Sequence, residues 1–555
     1  MIESIPVFFL LTPLIAGIIV SVINILTKND IIQKIITASS LALPFYFLFI
    51  VFQELRIETI SYDVGGWLKP YGITMVIDEL SFILLLITAI LALITFIYSL
   101  KYVKEEIGKF YFFFLLLLTG LNGIFISGDI FNLYIFFDLT IICSFILITF
   151  GKDRYSYKGS IKYLILGTLA SLFFLLAIGF IYAETGLLNL EYLKDSISLI
   201  DIQKQIIIFT LLLAAIGIKS AIIPFHTWLV DAHSTAPIPI SALLSGIIVK
   251  AGVYLFLRIN QFGFDIPNMK EVILFLGAIT AVGGVINALI QWDIKKITAS
   301  HTISQIGIIF IGFGSFSPIG ITGGIAHLVN HAFFKALLFL CAGAVIYKTG
   351  TKDIREHRLG MSMPITLILY IVGILAISGI TPFNGSVSKI LIEKSVNNYP
   401  FIYVMLLLTS MGTVASFSKL IYYSFLKNTE NKINKMKNNE APILFLIPMA
   451  ALAFLCLFIG VLPHLWLDKF ILPASYNLSN VTLINVSFFK PLNILKEWIV
   501  VAGGILILFF VIRFSPLIDS IRDRISKIKM NQSIVFMIIT LIIISLIVGE
   551  LIYLL

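Results

Sequence analysis

Residues 211–229 read LLLAAIGIKSAIIPFHTWL, an apolar run with a lysine, Lys219, in its interior and a proline, Pro224, just over one turn further on. A bilayer core roughly 30 Å thick is crossed by about 20 residues rising about 1.5 Å each. An ammonium near its centre costs about 2.5–3.5 kcal/mol on insertion scales, so such a group faces a protein interior or a water-filled path. Proline removes a backbone donor and clashes one turn back, which frees the carbonyl near Ser220. An unpaired carbonyl in hydrocarbon needs a partner. The stretch therefore predicts an interrupted transmembrane helix with a functional charge at the interruption.

The motif recurs. Ser220-Ala221-Ile222-Ile223-Pro224-Phe225 returns as Ser378-Gly379-Ile380-Thr381-Pro382-Phe383 inside ILAISGITPFNGSVSKILI (374–392), again with a lysine, Lys389, close by. Pro382 frees the carbonyl near Ser378 as Pro224 does near Ser220. Interrupted helices at corresponding positions of two halves point to transporter-type inverted repeats.

Composition sets the class. Apolar residues make up 59% of the chain and charged ones 12%, and the mean hydropathy is +1.03, which excludes an ordinary soluble domain and a disordered chain. Runs of spanning length fall near 5–26, 31–52, 77–100, 111–127, 130–150, 162–183, 205–224, 238–258, 271–290, 302–317, 320–347, 364–393, 400–427, 442–463, 498–514 and 534–555. The net charge of +9 reflects loop lysines and arginines and does not indicate nucleic acid. Connections from odd to even spans hold about 24 of them and the others about 10, which predicts an extracytoplasmic amino terminus. The first run has no basic residue before it and no small-residue cleavage site after it, and reads as a retained helix. Between spans two and three, QELRIETISYDVGGWLKPYGITM (53–75) predicts a small extracytoplasmic hairpin. SPLIDSIRDRISKIKMNQ (515–532) predicts a short basic amphipathic helix at the membrane surface.

Further intramembrane charges join Lys219 and Lys389. Asp138, in IFNLYIFFDLTIICSFILI (130–148), lies about 12 Å into its span, and Lys250, in ISALLSGIIVKAGVYLFL (240–257), is similarly deep. Burial and a neighbouring carboxylate act on a lysine in opposite senses, so movement of one partner switches the proton. His327, His331 and Lys335 are four apart and form one helix stripe. Histidine titrates near neutral pH and suits a relay. Metal binding by the two imidazoles ranks below relay and below structural hydrogen bonding, because no HExxH pattern or further ligand cluster appears. His226, Asp231 and His233, in PFHTWLVDAHSTAP (224–237), suit either a channel entrance or a turn-and-cap network. His301 suits a channel wall or a packing hydrogen bond. Cys143, Cys341 and Cys456 stand alone, without metal, cluster or disulfide spacing. No flavin, quinone or cluster motif is visible, so no cofactor is expected.

GDIFNLYIFFDLTIICSF (128–145), AAIGIKSAIIPFHTWLVDAHSTAPIPISALLSGIIVKAGVYLFLR (214–258), WDIKKITASHTISQIG (292–307), HLVNHAFFKALLFLCAGA (327–344) and SGITPFNGSVSKILI (378–392) resemble successive signatures of the antiporter-like membrane subunits. That family is shared by Mrp cation/proton antiporters (the D-type subunit), the respiratory complex I membrane arm and energy-converting membrane-bound hydrogenases. The resemblance covers roughly residues 70–430. It implies an all-α polytopic membrane protein with a 14-helix core, two inverted five-helix repeats and broken helices, with about two further helices after it. It also implies a proton path: a carboxylate–lysine pair (Asp138, Lys219), a connecting lysine (Lys250), a histidine-bearing helix (His327, His331) and a terminal lysine (Lys389). The family's usual glutamate is aspartate at 138, one methylene shorter, which puts the tightness of that pair in question.

The expected organisation is N-terminal helices and hairpin over 1–110, a first repeat over 111–258, a second over 271–427, and C-terminal helices over 442–555. The expected function is proton translocation, with sodium exchange possible, by a multi-pass subunit of the cell membrane among other integral membrane subunits. The parent complex would be a cation/proton antiporter or an oxidoreductase, either hydrogenase or dehydrogenase. Two rivals are an autonomous solute permease using Lys219 to bind an anion, and an inert scaffold for a catalytic partner. A scaffold gains nothing from several costly buried charges.

Overall fold

The computed structural model describes residues 2–427, 440–479, 486–526, 532 and 534–542. Helices α1 (Ile5–Leu26) and α2 (Asp30–Glu54) precede an antiparallel hairpin of β1 (Ile60–Asp63) and β2 (Thr74–Ile77), in register from Ile60 opposite Ile77 to Asp63 opposite Thr74. Then come α3 (Glu79–Tyr102), α4 (Ile107–Ile126), α5 (Ile130–Thr149), α6 (Arg154–Thr185), α7 (Leu190–Ile197) and α8 (Ile202–Ser220). Next are α9 (Thr227–Thr235), α10 (Ile238–Leu243), a π-helical turn (Leu244–Ile248) and α11 (Lys250–Ile259). The second half holds α12 (Met269–Ile290), α13 (Ile294–Gly314), α14 (Pro318–Thr349), α15 (Pro364–Ser378), α16 (Asn384–Ser395) and α17 (Pro400–Ile421). The chain continues through α18 (Ile443–Val461), α19 (Pro463–Trp466), α20 (Leu472–Ser479), α21 (Pro491–Arg513) and α22 (Ser515–Ser526).

Among the described residues, 14 helices are long and apolar enough to cross a membrane, with Ile238–Phe262 and Pro400–Leu426 each counted once. Of the 16 spans expected from sequence, the twelfth is divided between α15 and α16. The sixteenth is helical over 534–542, and its remainder lies outside the described residues. The amphipathic segment at 515–532 forms α22 over its first two-thirds, and most of its last third also lies outside them.

The chain forms two compact units: Met1–Ala221 with Thr235–Met269 and Val535–Leu555, and Ile222–Ser234 with Lys270–Ile534. In the first, α4 packs on α1 and α5, α6 on α5 and α8, and α11 on α8. A buried clamp fixes its edge: Arg258 holds Asp78 through Nη1···Oδ2 at 2.6 Å and Nη2···Oδ1 at 2.8 Å. Its Nε donates to the Tyr254 hydroxyl at 2.8 Å, and that hydroxyl donates to the Phe125 carbonyl at 2.9 Å. Burial pushes the Asp78 carboxyl up, but the guanidinium's charge and bonds, with those of Ser81, hold it below the ordinary value.

In the second unit, α14 packs against α13, α15, α16 and α18, and α17 against α21. Burial along α14 reaches 94%, against 17% for α21, so α14 is the unit's axis and α21 an outer helix. Two interruptions stand out. Helix α8 stops at Ser220 with Ala221 in the left-handed region (φ 57°), and α15 stops at Ser378 with Gly379 there (φ 77°). Pro224 and Pro382 lie in the non-helical stretches beyond. A left-handed residue after the last turn is a common way to end a helix.

Each unit also contains a backbone clasp. Ile130 N–H bonds Leu188 O and Leu190 N–H bonds Gly128 O, both at 2.9 Å. In the second unit Ile294 N–H bonds Lys352 O at 2.9 Å and Ile354 N–H bonds Trp292 O at 3.0 Å. The paired residues are Asp129 with Asn189 and Asp293 with Asp353, and all four side chains accept a hydrogen bond as the N-cap of the next element.

Candidate functional site

The last turn of α8 carries Lys219, 3% exposed. Its Nζ donates to Thr140 Oγ1 of α5 at 2.8 Å and lies 4.8 Å above the Phe137 ring. Thr140 in turn donates to the Phe137 carbonyl at 2.7 Å. Helix geometry explains the pairing: residues 137 and 140 share a face, whereas Asp138 is rotated about 100° from Phe137. Asp138 is half-buried and acts on Lys219 through space. Among the described residues no salt bridge or hydrogen bond joins the two. The carboxylate and the lysine are thus set apart, with a threonine hydroxyl as the direct partner of Lys219 Nζ. The freed carbonyl near Ser220 does not play that part.

Lys250 is fully buried at the start of α11, and its Nζ donates to Ser245 O at 2.5 Å. The π-turn makes this possible. Val249 N–H reaches back five residues to Leu244 O at 3.2 Å, leaving the Ser245 carbonyl open to the side chain. Single π-turns inside α-helices are frequent at functional sites.

In the second unit the α14 stripe is entirely interior, with His327, His331 and Lys335 all 0% exposed. His327 uses both ring nitrogens, Nδ1 with Ser388 Oγ of α16 at 2.9 Å and Nε2 with Gln305 Oε1 of α13 at 3.0 Å. His331 stands edge-on to Phe334 at 5.5 Å. Asn330 ties the stripe to α16 through Asn384 O at 2.8 Å and Ser388 Oγ at 3.1 Å. Lys389, 6% exposed, donates to the Ser378 carbonyl at 3.1 Å and to Ser410 Oγ of α17 at 3.4 Å. Here the carbonyl freed by the break does hold the lysine.

His301 of α13 bonds Ser416 Oγ through Nε2 at 2.5 Å and stacks on Phe417 at 4.5 Å, so it is tied to α17. His233 is buried between the rings of Trp228 and Phe339, and His226 and Asp231 are half-buried around α9. His226, Asp231 and His233 thus lie on α9 or just before it, a different element from the one that carries the histidine–lysine stripe.

Several residues of this interior are not singled out by the sequence patterns. Lys419 sits in a span and obeys the same rule as the other lysines; its Nζ caps the end of α12 through Leu289 O at 2.5 Å and Gln291 O at 2.7 Å, beside the Trp292 ring. Glu393, one turn beyond Lys389, and Glu497, in the second turn of α21, line a small cavity with that lysine. Charged residues next to long apolar runs were the available signal.

The model of the NADH:quinone oxidoreductase/Mrp antiporter transmembrane family matches residues 127–416, more than half of the chain, and the chain belongs to that family. It is a multi-pass membrane protein. Among its relatives, the D-type Na(+)/H(+) antiporter subunit of Bacillus subtilis (strain 168) is 30% identical over 486 residues, covering 85% of this chain and 97% of that one. The N-type NADH-quinone oxidoreductase subunit of Desulforudis audaxviator (strain MP104C) is 33% identical over 384 residues, covering 67% and 76%. Among solved structures, the membrane-bound sulfane sulfur reductase, an archaeal respiratory membrane complex, contains a chain that superposes with TM-score 0.76 at 30% identity, covering 83% of this chain and 77% of its own. The Mrp complex from Dietzia sp. DQ12-45-1b shares the fold, with TM-score 0.78 at 22% identity over 90% and 99%.

Proposed function

We propose that this chain is the proton-translocating, antiporter-like subunit of a multisubunit complex in the cell membrane, working beside other integral membrane subunits. The observation that carries the reading is how its deep lysines are held. Lys219, Lys250 and Lys389 each donate to a neutral oxygen: Thr140 Oγ1, Ser245 O and Ser378 O. A neutral acceptor keeps its hydrogen bond to either ammonium or amine, so the proton can leave without orphaning a fixed counter-charge. Asp138, set apart from Lys219, modulates that step by its charge.

On this reading Asp138 and Lys219 gate entry, Lys250 connects, His327, His331 and Lys335 pass the proton on, and Lys389 delivers it. His226, Asp231, His233 and His301 belong to the approaches. The two clasps support the inverted repeats: in each, 60 residues separate the paired positions (129 to 189, 293 to 353). Five spans separate one clasp from the other, and an odd number reverses the face on which a motif emerges. With the amino terminus outside, Asp129 faces outward and Asp293 the cytoplasm. Sodium exchange is the second reading, favoured by the Na(+)/H(+) antiporter relatives that span most of the chain.

The test is Lys219→Ala in the whole complex, with subunit content read on a native gel and proton uptake measured in vesicles. Assembly without uptake is expected. Normal uptake in an assembled variant would refute the gate, and uptake that tracks a sodium gradient would select the second reading.

A further inference from the structure

Glu497 belongs to α21, outside the family match at 127–416, yet its carboxylate reaches into the break between α15 and α16. Oε2 accepts from Thr381 N–H at 2.9 Å and Oε1 from Thr381 Oγ1 at 2.7 Å. An interrupted span exposes donors that must be satisfied, but a neutral amide would satisfy them without the cost of taking a charge out of water. The charge therefore calls for a reason beyond capping.

Lys389 supplies one. Ser378, Lys389, Glu393, Ser410, Asn493 and Glu497 line a cavity of about 30 Å³, room for about two waters. Lys389, Glu393 and Glu497 lie within electrostatic reach of one another. Among the described residues that line the cavity, the other charge is Lys496 of α21, whose Nζ donates to the Tyr403 hydroxyl of α17 at 3.2 Å.

We propose that Glu497 is the proton acceptor of Lys389, so that α21 takes part in translocation. The inference rests on the translocation reading above. In the step, an N–H bond of the Lys389 ammonium breaks and its proton passes to a cavity water, which gives one of its own protons to a Glu497 oxygen. The pair goes from +1 and −1 to an amine and a carboxylic acid, with charge conserved. The amine keeps its place at Ser378 O. Neutral Glu497 holds Thr381 less tightly, and its proton moves to the Glu393 carboxylate and on to the outer solution.

The experiment uses the complete complex in vesicles, with proton translocation normalised to subunit content. Glu497→Gln is expected to lower it at least tenfold, Glu497→Asp to restore a third or more of the rate, and Thr381→Val to cost less than threefold. Translocation by Glu497→Gln within threefold of the parent would overturn the proposal. So would a loss in Thr381→Val as large as in Glu497→Gln, since capping alone would then account for it. If Glu497→Gln does not assemble, infrared difference spectra decide: a carboxylic C=O band that appears on energisation and shifts in Glu497→Asp supports the assignment, and an unshifted or missing band overturns it. Lys219→Ala separates the two readings. Translocation lost there but kept in Glu497→Gln refutes Glu497 alone, whereas translocation kept in both refutes the path through Lys219 on which the translocation reading rests as well.

Discussion

Replacing Gly379 with alanine would move the terminal lysine without altering any charge. Gly379 has φ 77°, a region that costs an L-residue about 1–2 kcal/mol. The new Cβ would stand 2.6 Å from Lys389 Cδ and 3.4 Å from its Nζ. Carbon atoms rest about 3.5–4.0 Å apart, so the lysine chain must retreat by about 1 Å. Its 3.1 Å bond to the Ser378 carbonyl then stretches to about 4 Å, beyond hydrogen-bond range. A bond to a charged group is worth about 1.5–3 kcal/mol, and at about 1.4 kcal/mol per tenfold the expected loss of translocation is about 10- to 100-fold. Gly350 is the control: its φ is 74° and a Cβ there meets nothing within 4 Å, so Gly350→Ala adds the strain without the displacement. Proton uptake in vesicles, normalised to assembled complex, is the assay. Equal losses in the two variants, or a wild-type rate in Gly379→Ala, would refute the displacement argument.

Other expectations rest on the same geometry. Thr140→Val keeps the shape and removes the hydroxyl that holds Lys219 at 2.8 Å; uptake should fall about tenfold with normal assembly, and an unchanged rate would show that the bond is idle. Asp138→Glu keeps the charge and adds a methylene toward Lys219, so uptake should persist, whereas Asp138→Asn should abolish it; activity in the Asn variant would make Asp138 structural only. Asp78→Asn leaves Arg258 buried without its counter-charge and should cost about 3–5 kcal/mol, read as a lower unfolding midpoint in detergent. Because the Asp78 carboxyl lies below its ordinary 3.8 in the folded state, its stabilising contribution is complete above that value and is lost as pH falls through the lower folded one. The wild-type midpoint should accordingly decline more steeply with acid than that of the Asn variant.

The apolar runs and the two proline-bearing strings made the bundle and its interruptions legible, because span length and a missing backbone donor are one-dimensional properties. The deep lysines were legible for the same reason, although Lys419 was not singled out among them. Their partners were not. Thr140 was hidden because a threonine in an apolar helix ordinarily bonds its own backbone, as Thr88 and Thr95 do here. The Asp138 separation depends on a rotation of about 100° per residue combined with the approach of a helix distant in sequence, which no local pattern encodes. The Ser245 carbonyl became available through a change of helix pitch with no proline to announce it. Glu497 lay just before an apolar run that looked peripheral, and its reach into the break depends on how α21 lies along α17.

The clasps make length a functional variable. Each ties the residue before one long helical hairpin to the residue after it, so both ends of the hairpin are held together by backbone pairing. Adding a single residue to α14 below His331 would turn one part of the histidine–lysine stripe about 100° away from the other, and with the clasp holding the outer ends of the hairpin only the turn between α13 and α14 is left to take up the slip. Insertions and deletions in 130–188 and 294–352 should therefore be far less tolerated than apolar substitutions at the same places. Chain length within these two hairpins acts as a ruler that keeps one buried polar side chain in line with the next.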